Sequence, residues 1–374
     1  MQISLSTSML RKIELLKIAL MHKGMAISDR ARNLMRGNDD SPLTLSDYVS
    51  TSGISVDLGE DIWANVPIRD FNPNFVDEST PFELDYRDGH FFIVTGDSEF
   101  RVKPLPVPTY HDKKNERGVR YTYLLRPHTD RVSVSPIEGC ANRCRFCDVP
   151  YKFKYKMNTP AELIDAITTD LHDPNSTTRH VIMCGGTPRP EDYAHVNMVY
   201  DELTSAFSEI PFDVMMVPMP GLLDVRRLKS IGINYLASNI EIYNERIAKE
   251  LMPEKSRLTR KYYLDFLEDA VTIFGQGKVR SLLLVGLEPL EDTLRGVGAL
   301  AERGCDPVLS PFRPDLSTPL GQENPPPIEL LIEAYERARD IVDKYEGVKL
   351  GPRCIPCMHN SLAFPDGSNA YFYT

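Results

Sequence analysis

From Arg131 onward the chain repeats one pattern, a short apolar strand, a loop and a helix, and this alternation narrows the folds open to it. Six strands are expected, at Arg131–Pro136, His180–Cys184, Phe212–Val217, Tyr235–Ile240, Ser281–Val285 and Pro307–Ser310. Helices are expected between them at Thr159–Leu171, after Gly185-Gly186, and at Leu222–Ser230, Arg260–Phe274 and Leu290–Arg303, with a last one at Ile328–Tyr345. Strands separated by helices at this spacing build βαβ units and a parallel sheet. Six units are too few for a closed eight-fold barrel. The expected fold is therefore α/β, a partial (β/α)6 TIM-like barrel with an α+β N-terminal extension and a C-terminal Cys-containing tail.

The extension has a different texture. Helical spacing of apolar residues predicts a helix over Met9–Lys23, continued by a second over Met25–Met35 after Gly24. Arg11, Lys12 and Lys17 read as the solvated face of the first helix. Asp- and Pro-rich sequence from Asn38 to Pro81 reads as irregular. Phe82–Arg87 and His90–Thr95 flank Asp88-Gly89 as a β-hairpin. Three prolines within Lys103–Arg120 suggest a linker. This divides the chain into an accessory region (1–125), a barrel core (126–325) and a C-terminal helix with its tail (326–374).

Charge limits the partners. The net charge of −10 argues against a nucleic-acid footprint, which usually shows as a basic stripe. No stretch reaches the ~18 consecutive apolar residues of a membrane span, and Met1–Ser8 carries no secretory-signal pattern. Of the seven cysteines, Cys140, Cys144 and Cys147 crowd into eight residues. Clustered cysteines in a chain of this size indicate metal or redox chemistry in a reducing cytoplasm rather than a disulfide framework.

The three clustered thiols directly follow the first strand, as Cys140-Ala-Asn-Arg-Cys144-Arg-Phe-Cys147. Three thiolates can hold three irons of a [4Fe–4S] cube and leave the fourth open to a small molecule. Structural zinc is the alternative, but it wants four ligands, and His128 and His172 are distant in sequence.

With Phe146 before its last cysteine, the CxxxCxxC loop resembles that of the radical S-adenosylmethionine superfamily, over about Arg131 to Pro311. Gly185-Gly186-Thr187-Pro188 resembles the glycine motif that receives the amino group of S-adenosylmethionine, with Thr187 in place of the usual acid. Ser238-Asn239-Ile240-Glu241 resembles the polar patch used on the cofactor's ribose or carboxylate. Val285-Gly286-Leu287-Glu288 resembles the segment that packs on adenine. The resemblance thus implies Cys140, Cys144 and Cys147 as iron ligands. It implies Phe146, Gly185, Gly186, Thr187, Asn239, Glu241 and Gly286 as cofactor contacts. It also implies a 5′-deoxyadenosyl radical that takes hydrogen from a substrate, and an electron donor such as flavodoxin or ferredoxin. The stretch from Asn239 to Pro289 is most similar to the biotin-synthase-like branch, whose members mostly act on small molecules.

Each of these residues has a plainer reading. Gly185-Gly186 also suits a strand-to-helix turn, Asn239 and Glu241 a solvated strand end, and Glu288 a first-turn acid before the helix near Leu290. Arg313, after the sixth strand, could grip a substrate carboxylate or make a surface ion pair. Cys184 and Cys305 read as buried small hydrophobes. Gly351-Pro-Arg-Cys354-Ile-Pro-Cys357-Met-His359 is a second CxxC. It could join a second cluster, supply a hydrogen atom through Cys357, or clasp the tail over the barrel mouth.

The function expected is a radical enzyme acting on a small molecule in cofactor or specialised-metabolite biosynthesis, with Cys357, Glu288 and Arg313 as catalytic candidates. An enzyme modifying RNA or peptide, and a non-catalytic metal-binding scaffold, are the alternatives.

Overall fold

The computed structural model describes residues 10–35, 53–70, 72–76 and 79–371, so Met1–Ser8 and residues 38–52 of the stretch read as irregular lie outside it. Helix α1 (Lys12–Lys23) stops at Gly24, whose φ of +62° and proximity to Val76 and the Pro67 carbonyl leave no room for a Cβ. The expected continuation as a helix from Met25 is incorrect. The chain first adds a short strand, β1 (Ala26–Ile27), and only then forms α2 (Asp29–Met35).

Two of the next strands were not foreseen: β2 (Gly53–Asp57) and β3 (Trp63–Pro67) fall in the stretch read as irregular, while β4 (Glu83–Arg87) and β5 (His90–Thr95) form the expected hairpin. With β6 (Ser98–Pro104) they make a six-stranded sheet in the order β1-β4-β5-β6-β2-β3, antiparallel except where β1 joins β4. Strands β2 and β3 are covered on both faces, so Ser55 and Asn65 are as buried as Ile54 and Val66. The stretch Lys103–Arg120 is docked rather than free: Thr109 and Tyr110 donate hydrogen bonds to Asp173 and Asp170.

A short helix α3 (Tyr121–Leu124) and strand β7 (Leu125–Pro127) lead into the second sheet. Strand β8 (Arg131–Val134) is followed by β9 (Ile137–Glu138), α4 (Val149–Lys152), β10 (Lys156–Met157) and α5 (Pro160–Leu171). The start of α5 is set locally. Thr159 and Glu162 cap each other reciprocally, and Pro160 takes the first helical position, where no N–H is needed. Then come β11 (His180–Cys184), α6 (Tyr193–Ala206), β12 (Phe212–Met215), α7 (Val225–Ser230) and β13 (Ile233–Ala237). The series closes with α8 (Glu245–Leu251), α9 (Arg260–Phe274), β14 (Val279–Val285), α10 (Leu290–Ala301), β15 (Asp306–Pro311) and α11 (Ile328–Val342).

Strands β8, β11, β12, β13, β14 and β15 pair in chain order and all in parallel, with β7 antiparallel on the outer edge of β8. Among the described residues β15 pairs with neither β7 nor β8, so the six-unit sheet stays open: a partial (β/α)6 barrel, as expected.

The first and last parts of the described chain meet. Helix α1 packs on β3 and α11, and β3 also packs on the one-turn 3-10 helix Pro356–Asn360. Lys17, expected on the solvated face, is 1% exposed. Its ammonium donates to the carbonyls of Met358 and Ala363 at 2.9 and 3.0 Å and sits over the Phe364 ring. Arg11 and Lys12 are exposed, as expected. The difference arises because the tail covers one face of α1, which the helix's own sequence does not reveal.

Burial pulls the Lys17 pKa from 10.5 to about 7. Between those values the unfolded chain binds more protons at this site than the folded one, so stability should rise with pH from about 7 to 10.5 by at most ~1.4 kcal/mol per unit. Replacing Lys17 with Met should flatten that rise and, by stripping two carbonyls of their donor, cost about 1–3 kcal/mol. Urea unfolding of both proteins at pH 7 and pH 9 measures each effect.

Candidate functional site

The cysteine loop leaves β8 and is bracketed by the β9–β10 hairpin, whose pairs are Glu138 with Lys156 and Ile137 with Met157. Gly185 and Gly186, at the carboxyl end of β11, press against it. A Cβ on Gly186 would lie 2.0 Å from the Gly139 carbonyl and 2.6 Å from Cys140 Cα, and one on Gly185, at φ +150°, would meet the Ser135 hydroxyl. Close backbone approach is what these glycines supply. Cys140 Sγ accepts the N–H groups of Thr187 and Asn142 at 3.1 and 3.3 Å, while Asn142 Nδ2 donates to Thr187 Oγ1. The threonine that replaces the family's acid is thus part of the loop's own scaffold.

Burial pushes the Cys147 thiol up to about 12 and the Cys144 thiol further, with the neighbouring thiols adding to both shifts. Gathering three thiolates here is costly unless a cation lies among them. N–H groups aimed at one sulfur, three soft donors on one loop and, among the described residues, no fourth metal-ligating side chain grouped with them together fit an iron–sulfur cluster with an open position.

Beside the loop, Glu241 pairs with Lys255 at 2.7 Å, and Lys255 is 5% exposed on its side chain. Burial alone would lower the Lys255 pKa, but Glu241 holds it above its ordinary value. Glu241 adopts φ +64°, unusual for a residue with a side chain, while its backbone bonds to Leu282 and Leu284 of β14. Such a conformation costs on the order of 1–3 kcal/mol and directs the carboxylate to one place. Lys255 escaped the sequence reading because it lies in a 3-10 turn, Lys255–Arg257, with no motif around it.

A cavity of about 310 Å3 runs inside the sheet. It is lined by Gly185, Gly186 and Asn239 at the carboxyl ends of the strands and by Cys184, three arginines (Arg126, Arg131, Arg280) and Cys357 deeper in. Asn239 accepts from the Leu282 N–H and turns its own amide N–H toward the Met215 thioether at 3.4 Å. Cys184 is not the isolated buried thiol expected: it lines the cavity and bonds to Ser133. Cys305 is fully buried, as expected.

The remaining expected residues lie elsewhere. Phe146 and Arg313 line a smaller cavity of about 150 Å3, and Phe146 packs with Cys144 in an apolar cluster around Ile242 and Phe312. Arg313 extends its guanidinium to the side-chain and backbone oxygens of Asn65, which ties β3 to the barrel. Glu288 is used by the backbone: it accepts the N–H groups of Tyr243 and Asn244 and the Thr293 hydroxyl, so its acid fixes the entry to α8 and the first turn of α10. Gly286, at φ +106° against Pro326, and Glu288 line neither cavity.

The tail does not lie over the barrel mouth. Cys354 and Cys357 sit with Asp130 and His180, at the amino ends of β8 and β11, on the side opposite the cysteine loop. Cys357 still reaches the inner cavity from below.

The Gly186 contact yields a direct test. Gly186→Ala forces backbone to move where Gly139 and Cys140 stand, and overpacking of this kind costs about 1–3 kcal/mol. The variant should keep its far-UV circular dichroism and lose more than half of the iron it holds after anaerobic reconstitution, measured by iron and sulfide assay.

Residues 134–309 match the Radical SAM superfamily. A stretch of 141 residues, 37% of the chain, is 28% identical to the bacteriochlorophyllide c C-7(1)-hydroxylase of Chlorobaculum limnaeum. The chain spans 35% of that relative's length. Among solved structures, the FeFe-hydrogenase maturase HydG from Carboxydothermus hydrogenoformans aligns with 63% of this chain and 57% of its own, at 18% identity and a TM-score of 0.46. A radical SAM methyltransferase from Sphaerobacter thermophilus aligns with 75% of this chain and 81% of its own, at 16% identity and a TM-score of 0.46. The segment that carries the cysteine loop and most of the parallel sheet is thus similar to the Radical SAM superfamily.

Proposed function

We propose that this protein is a radical S-adenosylmethionine enzyme that removes a hydrogen atom from a small anionic molecule. The observation that carries the reading is the inner cavity, which begins at the glycine pair beside the cysteine loop and ends among arginines. Cys140, Cys144 and Cys147 would hold the cluster, and the backbone of Gly185-Gly186 with Asn239 would hold S-adenosylmethionine. When bound, the two supply a reducing electron and a reactive carbon-centred radical.

The protein's own groups do the rest. Gly185 and Gly186 let backbone approach the cysteine loop without a side chain intervening. Glu241 and Lys255 neutralise each other beside Cys144, so neither charge is left unpaired in a buried place. Deeper in, Arg126 stacks on Phe153 at 4.9 Å, and the Arg131 Nε is buried with no acceptor. Among the described residues neither guanidinium has a carboxylate partner, whereas Arg280 is paired with Asp213 at 3.0 Å. Two unpaired guanidinium groups on one cavity wall suit a carboxylate or phosphate. The chain's net charge of −10 and the size of the cavity both favour a metabolite over RNA. An external one-electron donor of the flavodoxin or ferredoxin class completes the scheme. Seven free cysteines fit a reducing cytoplasm.

Anaerobically reconstituted full-length protein given S-adenosylmethionine and dithionite should form 5′-deoxyadenosine, and the triple substitution of Cys140, Cys144 and Cys147 by Ala should abolish it. No product from protein that carries iron and sulfide overturns the reading. The anionic fraction of a small-metabolite extract should accelerate 5′-deoxyadenosine formation. Arg126→Gln should weaken that response about tenfold or more, the loss of one charge-assisted contact. Acceleration by tRNA or a peptide fraction instead would favour a macromolecular substrate.

A further inference from the structure

The tail and the amino ends of two barrel strands together build a second, separate donor set. Asp130 precedes β8, His180 opens β11, and Cys354 and Cys357 come from the tail; all four are buried, and their ligand atoms lie within 4.8 Å of one another. We propose that these four residues bind a single zinc ion that fastens the tail to the base of the barrel.

The spacing is that of one tetrahedral ion. Zinc holds sulfur at ~2.3 Å and nitrogen or oxygen at ~2.0–2.2 Å, which sets sulfur-to-nitrogen and sulfur-to-oxygen separations near 3.5 Å and nitrogen-to-oxygen slightly less. Here Cys354 Sγ and Cys357 Sγ lie 3.7 and 3.5 Å from His180 Nε2. They lie 3.2 and 3.4 Å from Asp130 Oδ1, and His180 Nε2 is 3.5 Å from that same oxygen. An iron–sulfur cluster distributes its ligands over separate irons and spreads them wider than this set allows.

The surroundings are built as a zinc site needs. His180 presents Nε2 to the set and turns Nδ1 toward Asp213 Oδ2 at 3.8 Å, the carboxylate–histidine arrangement that orients a zinc ligand. Asp213 is itself held by Arg280 at 3.0 Å. Arg179 lies 3.3 Å from Asp130 Oδ2, which is also 3.2 Å from Cys354 Sγ, while Oδ1 is the oxygen within 3.5 Å of Cys354, Cys357 and His180 alike. Binding releases the thiol protons of Cys354 and Cys357, and two thiolates with one carboxylate leave one net negative charge around the divalent ion. Four protein ligands leave no open position, so the site is structural. Cys357 is then a zinc ligand rather than a hydrogen-atom donor.

The test removes the other metal site first. Full-length protein with Cys140, Cys144 and Cys147 replaced by Ala, purified from zinc-supplemented cells, should carry one zinc per chain. Zinc-edge X-ray absorption should show two sulfur and two nitrogen or oxygen neighbours. Adding Cys354→Ala or Asp130→Ala should lower zinc to less than a tenth per chain. Should either variant fold poorly, cobalt exchanged into the intact protein gives a second measure through the thiolate charge-transfer and tetrahedral d–d bands. Absence of zinc, a zinc shell without two sulfurs, cobalt lacking those bands, or iron and sulfide in the triad-free protein each overturns the proposal. Because the cysteine triad is absent, these outcomes are independent of whether the radical reaction occurs.

Discussion

Six parallel strands bury both their faces yet do not close, and every other feature of the molecule answers to that constraint. A parallel sheet needs cover on both sides. The helices α5, α6, α7, α9 and α10 supply it outside, but an unclosed barrel also leaves its inside and its ends to be filled. The interior becomes the cavity lined by arginines. The amino ends of β8 and β11 are met by the tail, the flank is met by the amino-terminal sheet through Asn65 and Arg313, and Lys17 of α1 reaches the tail.

Charge is buried at each of these seams, and each time it has a partner. Lys17 has two carbonyls, Glu241 has Lys255, Arg280 has Asp213, and Arg353 makes a two-pronged contact with Asp306. A buried pair adds little net stability, but breaking one leaves an uncompensated charge. The Arg353–Asp306 and Lys17 contacts therefore specify how the tail sits on the barrel and on α1 more than they hold it there. Arg126 and Arg131 stand out against this pattern, since among the described residues neither makes a salt bridge and both line the inner cavity.

Much of this was legible beforehand, and what was not has definite causes. The strands of the barrel carry continuous apolar runs, so His180–Cys184 could be read to the residue, and the cysteine loop and the glycine pair stood out as motifs that the fold places side by side. Strands β2 and β3 were hidden because five-residue strands in Asp- and Pro-rich sequence offer few positions, and because Ser55 and Asn65 are buried where polar residues usually face water. Lys17 looked solvated because nothing in α1 says that a tail some 340 residues later covers it. Long separation along the chain also hid the donor set: Asp130 and His180 carry no motif, and the tail's CxxC gives only half of it. Glu288 shows the converse, a residue in the expected place whose oxygens are spent on the backbone.

The Lys17 contact also bears on how the chain comes to be folded. Lys17 leaves the ribosome early, but its two acceptors belong to Met358 and Ala363. At about 5–20 residues per second, the wait between them is tens of seconds. Throughout that interval α1 holds an ammonium group on a face that will be dry, and β3 lacks the turn that packs on it. The amino-terminal sheet can take shape during synthesis, yet its docking is completed only when the far end of the chain arrives. The part of the protein made first is thus among the last to be locked, an order opposite to the usual vectorial one.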